Sequence, residues 1–294
     1  MKSTRVTRME ISRIRTLDSP ELQPYRTLRR AVEHVRQGIF VAEGEKVVRR
    51  LLESPIEVVS LLLTKQWLED LQPALGRISN AKVKAWIAPK ESLESIVGFH
   101  LHQGVMAIGR IPQPVKLKDV IRLSSGPRLL VALDALTNAD NIGVIVRNCV
   151  AFRVDALIVP KNSSSPYLRR AVRMSMGSVF SLPVVQVHIL ADACRDLADR
   201  FRIRVIAAHP KRDATLVEGA NLNGDLCFVL GSEGTGISDE VIAVCSEKIS
   251  IPISDGTDSL NVATASGILL FETQRRRQRT TEQRPTSIPS ALRP

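Results

Sequence analysis

The sequence predicts an α/β protein, with a small N-terminal α/β sandwich followed by a larger and mainly parallel α/β domain. Short apolar runs alternate with helix-like amphipathic segments along most of the 294 residues. In the C-terminal half the alternation is regular, strand then helix, and polar or glycine-rich turns follow several of the apolar strands. Repeated β-α units favour a mainly parallel sheet.

The charge of the chain predicts a polyanionic partner. Lys and Arg number 41 against 30 Asp and Glu, which gives a formal net charge of +11. RNA, DNA and an anionic membrane surface all fit this charge. No apolar run is long enough to span a bilayer, and the N-terminus lacks the apolar core of a secretion signal. We therefore expect a cytoplasmic protein without a membrane partner.

The four cysteines predict neither a zinc site nor a disulfide framework. No two of them form a C-x-x-C pair, and each lies in an apolar or helical context. We expect reduced thiols, as in other cytoplasmic proteins. The positions are Cys149, Cys194, Cys227 and Cys245.

Residues 1–110 are predicted to form the small sandwich. Apolar side chains at Tyr25, Leu28, Val32 and Val35 are spaced as on one helix face. The elements expected after this helix are a strand at 39–41, a helix at 47–52, strands at 58–63 and 83–87, a helix at 93–97 and a strand at 104–108. Residues 111–127 are rich in Pro and Ser and predict a linker with one short helix.

Basic side chains on the first helices have two interpretations, which the sequence leaves open. They form either a phosphate-contacting face or an ordinary solvated surface. The residues are Arg26, Arg29, Arg30, Lys46, Arg49 and Arg50. Two histidines, His100 and His102, are more typical of structural hydrogen bonding than of a direct role.

Residues 128–276 are predicted to form the parallel domain. Strands are expected at 129–133, 156–159, 184–187, 205–208, 226–230 and 248–253. Asn141 is expected to cap one helix, and further helices are expected at 191–198, at 241–244, and around Arg169, Arg170 and Arg173. Ser259 or Asn261 is expected to cap the final helix. Residues 277–294, the end of a basic segment rich in Pro and Ser, are expected to be a disordered tail.

Three polar stretches after predicted strands carry the functional signal. The first contains Asn141, Gly143 and Arg147, the second is the glycine turn at 229–237, and the third is 255–272. The spacing of the second, G-x-x-G-x-G, differs from the dinucleotide pattern, and Ile237 stands where a Walker loop needs lysine. NAD and ATP are therefore disfavoured as ligands.

Together and in this order, the three stretches resemble the signature motifs of the SpoU–TrmH family. This resemblance implies an RNA ribose 2'-O-methyltransferase of the SPOUT class, with S-adenosylmethionine as cofactor, no metal, and a homodimeric assembly. It also implies a trefoil knot in the C-terminal domain, where physical reasoning alone predicts an unknotted Rossmann-like sheet. Residues 40–44 and 102–105 resemble parts of the RNA substrate-binding domain found in many of these enzymes.

The resemblance also assigns roles to residues. It places Arg147 at the reaction centre, where a guanidinium, a poor base, would act through the substrate phosphate. The other catalytic candidates are Asn141, Glu233, Ser259 and Asn261. The cofactor-binding candidates are Leu230, Gly231, Gly236, Ile251 and Leu260. The cluster Arg169, Arg170 and Arg173 is the candidate track for RNA phosphates.

Two local expectations accompany these roles. Gly143 and Arg147 lie one turn apart on a helix, so we expect the bare Gly143 backbone to admit a ribose-phosphate beside Arg147. Arg153 stands where the family commonly has glycine, which leaves the tightness of that turn open.

The sequence leaves several alternative functions and substrates open. A non-catalytic RNA-binding or ribosome-assembly protein on the same fold would explain the charge, although the retained polar motif residues argue against it. A base methyltransferase would keep the fold but not the motifs. Ribosomal RNA is favoured over tRNA as the substrate, and the sequence does not distinguish ribosome maturation from antibiotic resistance.

Overall fold

The computed structural model describes residues 10–14, 19–76, 83–98, 100, 103–123, 126–210 and 214–282, with side chains to residue 278. His102 and the tail beyond Glu282 lie outside these residues. Among the described residues the chain forms two β-sheets, one from each half of the sequence. No helix in these ranges is both long enough and apolar enough to cross a membrane.

The N-terminal sheet is mixed and has five strands in the order β1-β4-β3-β5-β2. The strands are β1 (Glu10–Arg13), β2 (Ile39–Glu43), β3 (Val58–Leu63), β4 (Lys84–Ile87) and β5 (Val105–Arg110). The helices around it are α1 (Gln23–Arg26), α2 (Ala31–Arg36), α3 (Glu45–Glu53), α4 (Lys65–Asp70), α5 (Gln72–Leu75) and α6 (Lys90–Val97). Strand β5 lies antiparallel to β2 and β3, whereas β3 and β1 lie parallel to β4.

The single helix predicted from Tyr25 to Val35 is wrong. The structure divides it into α1 and α2, and Val32 is 56% exposed. The chain leaves helical geometry at Thr27, whose hydroxyl donates to the Gln23 carbonyl and also bonds to the buried ring of His34. A side chain that competes for backbone bonds in this way favours a turn over a continuous helix.

The C-terminal sheet has seven strands in the order β10-β12-β9-β11-β6-β7-β8, and every recorded pairing is parallel, as predicted. The strands are β6 (Leu129–Asp134), β7 (Ala156–Pro160), β8 (Val184–Val187), β9 (Arg204–Ala208), β10 (Thr215–Leu216), β11 (Leu226–Gly231) and β12 (Glu247–Ser250). The helices are α7 (Leu117–Leu123), α8 (Ala139–Ala151), α9 (Arg169–Met174), α10 (Leu190–Asp199), α11 (Asp239–Ile242) and α12 (Val262–Glu282).

The sheet is covered on both faces because its central strands are apolar throughout. Leu129, Val131 and Leu133 of β6 belong to a core that includes residues of α8, α9 and α12. Leu130 and Ala132, which point the other way, join a second core with residues of α7, α10 and α11. Chain order reverses around β6, so the carboxyl ends of β6 and β11 flank a crevice of the kind in which α/β proteins bind ligands.

A packed seam joins the two sheets. The ring of Phe40 on β2 lies 5.6 Å from that of Tyr167 and 5.3 Å from that of Phe180, centroid to centroid. Beside it, Glu43 and Arg169 form an ion pair with an N–O distance of 2.7 Å, and both side chains are largely buried. The N-terminal sheet is therefore held against α9 by apolar packing and by a shielded ion pair.

Helix α8 begins three residues earlier than predicted, because Asn138 and not Asn141 is its N-cap. The Asn138 side chain accepts hydrogen bonds from the backbone N–H groups of Asp140 (2.9 Å) and Asn141 (3.3 Å), so Asn138 is the N-cap. Asn141 lies inside the first turn with its side chain available for other contacts. The final helix does use one of its two predicted caps, because Asn261 accepts from Ala263 and Thr264.

Helix α12 extends through residues expected to belong to the disordered tail, since it continues to Glu282. Arg277 helps to hold this part of the helix in place, because its guanidinium donates hydrogen bonds to the carbonyls of Pro127, Arg128 and Gly224. Arg276 donates to the carbonyls of three residues before β11, and pairs with Glu272. Those three carbonyls are on Val217, Glu218 and Ala220.

The way α8 ends explains why Arg153 has a backbone conformation that is unusual for a residue other than glycine. The Val154 N–H bonds to the Cys149 carbonyl at 2.8 Å and the Arg153 N–H to that of Val150 at 3.3 Å, which is the Schellman pattern. Arg153 adopts the left-handed conformation that this pattern requires, with φ of +53°. The turn keeps its tight geometry, and an L-residue carries the strain.

We predict that Arg153→Gly raises the free energy of unfolding by about 0.5–1 kcal/mol. The left-handed conformation costs an L-residue about 1–2 kcal/mol, and the greater freedom of glycine in the unfolded chain offsets up to about 1 kcal/mol of that gain. Urea unfolding of the two proteins measures the difference. Arg153→Ala is the matched control, since it removes the side chain but keeps the strain. A gain of equal size in the alanine variant would contradict this explanation.

Candidate active site

A cavity of about 500 Å³ opens at the carboxyl ends of the central strands. Its walls come from the ends of β9 and β11, the glycine turn, β12 and the segment that follows it, and the start of α12. All five predicted cofactor-binding residues, Leu230, Gly231, Gly236, Ile251 and Leu260, line it, as does Ser259. The sequence analysis missed several other lining residues, namely Ala208, His209, Pro210, Ile249, Ile253, Val262 and Leu269.

The glycine turn after β11 is a tight backbone loop. Ser232 and Gly236 exchange two backbone hydrogen bonds of 3.0 and 2.9 Å, and Gly236 has φ of +72°. A Cβ at Gly231 would lie 2.3 Å from the Gly236 carbonyl carbon, which is far inside van der Waals contact. Gly231 is therefore required for the loop to fold back on its own strand.

A buried carboxylate fixes the far end of this loop. Asp134, at the end of β6 and opposite Gly231 in the sheet, accepts hydrogen bonds from the Ser238 backbone N–H (2.7 Å) and hydroxyl (2.8 Å). Charge-assisted bonds of this type are stronger than neutral ones. The sequence analysis overlooked Asp134, although an acidic residue ending a strand of five apolar residues was a usable signal.

Three predicted catalytic residues meet beside the cavity in one hydrogen-bonded triangle. The Asn141 amide donates to Glu233 Oε1 at 2.6 Å, and the Asn261 amide donates to the same oxygen at 2.9 Å. Asn261 also donates to Asn141 Oδ1 at 3.0 Å. The triangle links the first turn of α8, the glycine turn and the cap of α12; Asn141 is 92 residues from Glu233 and 120 from Asn261, and Glu233 and Asn261 are 28 apart.

Arg147 lies apart from this triangle. Its side chain is exposed on the outer face of α8, and among the described residues no hydrogen bond or ion pair is recorded for it. Gly143 does not open a path to it, contrary to our expectation. A Cβ at Gly143 would lie 2.5 Å from the Ala171 carbonyl oxygen and 2.6 Å from Met174 Cβ, so this glycine serves the close packing of α8 on α9.

The arginines of the predicted phosphate track differ in their contacts. Arg169 is engaged by Glu43, and Arg170 forms a two-point ion pair with Asp140. Arg173 is exposed, and no ion pair is recorded for it among the described residues. Two of the three guanidinium groups are therefore neutralised within the chain.

Comparison with known proteins addresses what this site is for. The profile of the SpoU rRNA Methylase family matches residues 128–271, and that of the RNA 2'-O ribose methyltransferase substrate-binding domain matches residues 41–115. An uncharacterized tRNA/rRNA methyltransferase of Mycobacterium tuberculosis is 30% identical over 88% of this chain and 90% of its own length. The chain belongs to the SpoU rRNA methylase family.

Other similar proteins agree with this assignment. The 23S rRNA (guanosine-2'-O-)-methyltransferase RlmB of Acinetobacter baylyi is 30% identical over 80% of this chain and 96% of its own length. A putative TrmH-family RNA methyltransferase from Porphyromonas gingivalis superposes with a TM-score of 0.71 at 25% identity, over 89% and 99% of the two chains. The fold is also that of the AviRb methyltransferase of Streptomyces viridochromogenes, with a TM-score of 0.75 at 24% identity, over 88% and 98%.

The cavity of this SpoU-family chain suits S-adenosylmethionine, the methyl donor of the family. Its volume is within the range of sites for ligands of that size. Isoleucine and leucine side chains offer apolar walls for an adenine ring, and the loop backbone offers polar groups for the ribose and amino acid parts. Among the described residues no group of three or more His, Cys, Asp or Glu is placed to hold a metal ion.

The cysteines of this family member are not placed for nucleophilic chemistry. All four are free thiols, and three are buried. Burial raises the pKa of Cys194 to about 12 and that of Cys245 to about 11, so these thiols stay protonated at neutral pH.

Gly231→Ala is predicted to weaken S-adenosylmethionine binding at least about tenfold, since overpacking at a closed site costs about 1–3 kcal/mol. Isothermal calorimetry measures the affinity, and circular dichroism checks the fold. Gly234→Ala is the matched control, because a Cβ at Gly234 would meet nothing within 4 Å. Equal loss of affinity in both variants would show that the loop responds to any added methyl group and not to this contact.

Proposed function

We propose that this SpoU-family protein methylates the 2'-hydroxyl of a ribose in ribosomal RNA, in the cytoplasm. The observation that carries the proposal is the triangle of Asn141, Glu233 and Asn261 beside the cofactor cavity. A non-catalytic RNA-binding protein would not need these polar groups assembled at the mouth of a donor pocket. The RlmB relative, named for 23S rRNA (guanosine-2'-O-) methylation, supports ribose over base and rRNA over tRNA.

In this reaction the ribose oxygen forms a bond to the methyl carbon, the bond from that carbon to sulfur breaks, and the hydroxyl proton is released. S-adenosylmethionine supplies a methyl group already activated by positive sulfur. The task of the chain is to align the hydroxyl and to assist loss of its proton, because a neutral hydroxyl is a poor nucleophile. We assign the triangle, with Ser259, to holding the donor loop and the ribose in line.

Arg147 is the candidate for activating the hydroxyl, and its position suggests how it does so. Arg147 is exposed on α8, and Ile268 and Phe271 of the adjoining α12 are 36% and 55% accessible. Val144, half-buried, lies one turn before Arg147 on the same face. Exposed apolar groups clustered in this way indicate an interaction surface. We infer a symmetric homodimer through this face, in which Arg147 completes the cavity of the partner subunit.

The two halves of the chain divide the work in this proposal. Residues 128–276 bind the donor and carry out the transfer, residues 1–110 select the RNA, and residues 111–127 connect them. Arg173 contacts a substrate phosphate, whereas Arg169 and Arg170 hold the fold around it. This proposal differs from the expectation that all three arginines bind RNA directly, because Arg169 and Arg170 are already paired with carboxylates.

Arg147→Ala is predicted to lower the rate of methyl transfer at least about a hundredfold, the scale of a lost acid–base or charge-stabilising group. Donor affinity stays near wild type, because the donor cavity does not include Arg147. Arg147→Lys does not restore the rate, since lysine cannot make a bidentate phosphate contact.

The measurement is single-turnover methylation with tritiated donor, on rRNA and on tRNA from a strain that lacks the protein. Arg122→Gln is the control for loss of one exposed arginine elsewhere. A folded Arg147→Ala protein that methylates at the wild-type rate would contradict the catalytic assignment. Labelling of tRNA alone would contradict the choice of rRNA.

Mixing Arg147→Ala with Gly231→Ala, at a donor concentration too low to saturate the weakened cavity of Gly231→Ala, tests the shared site. Arg147→Ala keeps an intact cavity, and Gly231→Ala keeps an intact Arg147. If each site uses both subunits of a symmetric dimer, an equal mixture refolded together recovers about a quarter of wild-type activity, because half of the dimers carry one complete site. Recovery of no activity, although light scattering shows dimers, would contradict the shared site.

A further inference from the structure

The seam between the two sheets brings together basic side chains that are far apart in sequence. We propose that Lys46, Arg50 and Arg173, here called the seam strip, form a continuous binding site for the phosphates of an RNA strand. The inference rests on the proposed RNA substrate and extends it, because it assigns a phosphate path that neither domain forms alone.

Helix α9 fixes the orientation of Arg173. Arg169 and Arg173 are four residues apart, so they lie on the same side of the helix one turn apart. Arg169 points to Glu43 on β2, which identifies that side as the one facing the N-terminal domain. Gly143 of α8 meets Ala171 and Met174 on another side of α9. Arg173 is therefore exposed along the edge of the seam.

Helix α3 supplies the other two cations. The Arg50 guanidinium donates to the Met176 carbonyl at 2.7 Å, at the carboxyl end of α9, although the side chain remains exposed. A guanidinium has five donors, so this contact leaves others for a ligand. Lys46 lies four residues before Arg50, one turn along α3, and its side chain is exposed. The strip thus runs from α3 across the seam to α9.

Carboxylates in the neighbourhood do not neutralise the strip. Glu43 is engaged by Arg169, and Glu45 by Arg49. Among the described residues no ion pair is recorded for Lys46, Arg50 or Arg173. Three cations without recorded acidic partners, two of them one turn apart on α3 and the third on the neighbouring α9, are suited to contact a sugar-phosphate backbone.

The seam also sets the spacing of the strip before RNA binds. The packing of Phe40 on Tyr167 and Phe180, with the ion pair of Glu43 and Arg169, holds α3 and α9 together. Phosphate contacts fix register and orientation on a nucleic acid rather than sequence. A strip of this kind would align the strand between the RNA-selecting domain and α8, on which Arg147 lies.

The test uses the full-length protein and a fluorescein-labelled, mixed-sequence single-stranded RNA, with anisotropy recorded over a series of salt concentrations. Lys46→Gln with Arg173→Gln is the strip variant, because both side chains are exposed and neither caps a helix. Lys118→Gln with Arg122→Gln is the control. It removes the same two charges from α7, which packs on the opposite face of the sheet.

We expect the strip variant to bind about tenfold more weakly at low salt, and its slope of log affinity against log salt to fall by about 1.4, or 0.7 for each lost contact. The control variant should change the slope little. Equal effects in both variants, no effect in the strip variant, or wild-type binding without salt dependence would each overturn the inference.

Methylation assays separate this inference from the proposed function. If the wild type methylates rRNA and the strip variant methylates and binds RNA as well as the wild type, the inference about the seam strip is wrong and the proposed function stands. If the wild type methylates no RNA but the strip variant loses affinity as expected, the proposed function is wrong and the strip stands. S-adenosylmethionine affinity, measured in parallel, should be unchanged in both variants.

Discussion

The catalytic half of the molecule depends on one shared acceptor, the Glu233 carboxylate oxygen that binds the amides of both Asn141 and Asn261. Each asparagine uses its side-chain oxygen too, Asn141 for Asn261 and Asn261 for the N–H groups that open α12. Asn141 is buried whereas Glu233 and Asn261 are exposed, so removing the Glu233 carboxylate deprives the buried Asn141 amide of this acceptor, which costs about 1–3 kcal/mol. The triangle therefore acts as a single unit that sets the mutual positions of α8, the glycine turn and α12.

The sequence predicted those parts of the fold that depend on local residues, and it failed where a distant contact such as this triangle decides. Strands such as β3 and β8 were predicted at their observed bounds, because a short run of mostly apolar residues indicates a buried strand without any information about distant residues. The cap of α8 was assigned to Asn141 although Asn138 was equally suitable locally. Only the tertiary contact to Glu233, 92 residues away, shows that the Asn141 side chain is needed elsewhere. Local sequence cannot distinguish two asparagines three positions apart when a distant residue decides between them.

The ion pairs of the α9 arginines also could not be predicted from local sequence. Local sequence does not distinguish Arg169, Arg170 and Arg173, yet one pairs across the seam with Glu43, one pairs with Asp140 of α8, and one is exposed without a recorded ion pair. Gly143 was expected to serve the substrate, and the structure assigns its bare backbone to helix packing. Ion pairs and close helix contacts form between segments that approach each other only after folding. The resemblance to a family predicted the site's members, but only coordinates show which of them touch. The trefoil knot, implied by the resemblance, stays a prediction.

The arginines of α12 have a consequence for synthesis of the protein. Arg277 binds carbonyls of residues 149 and 150 positions earlier in the chain, just before β6, and Arg276 binds carbonyls before β11. These contacts join α12 to segments that are synthesised much earlier in the chain. Non-local contacts of such range slow folding and leave strands exposed while the chain is incomplete. The contacts of Arg276 and Arg277 can form only after α12 has been synthesised, so the segments before β6 and β11 gain these partners late in folding.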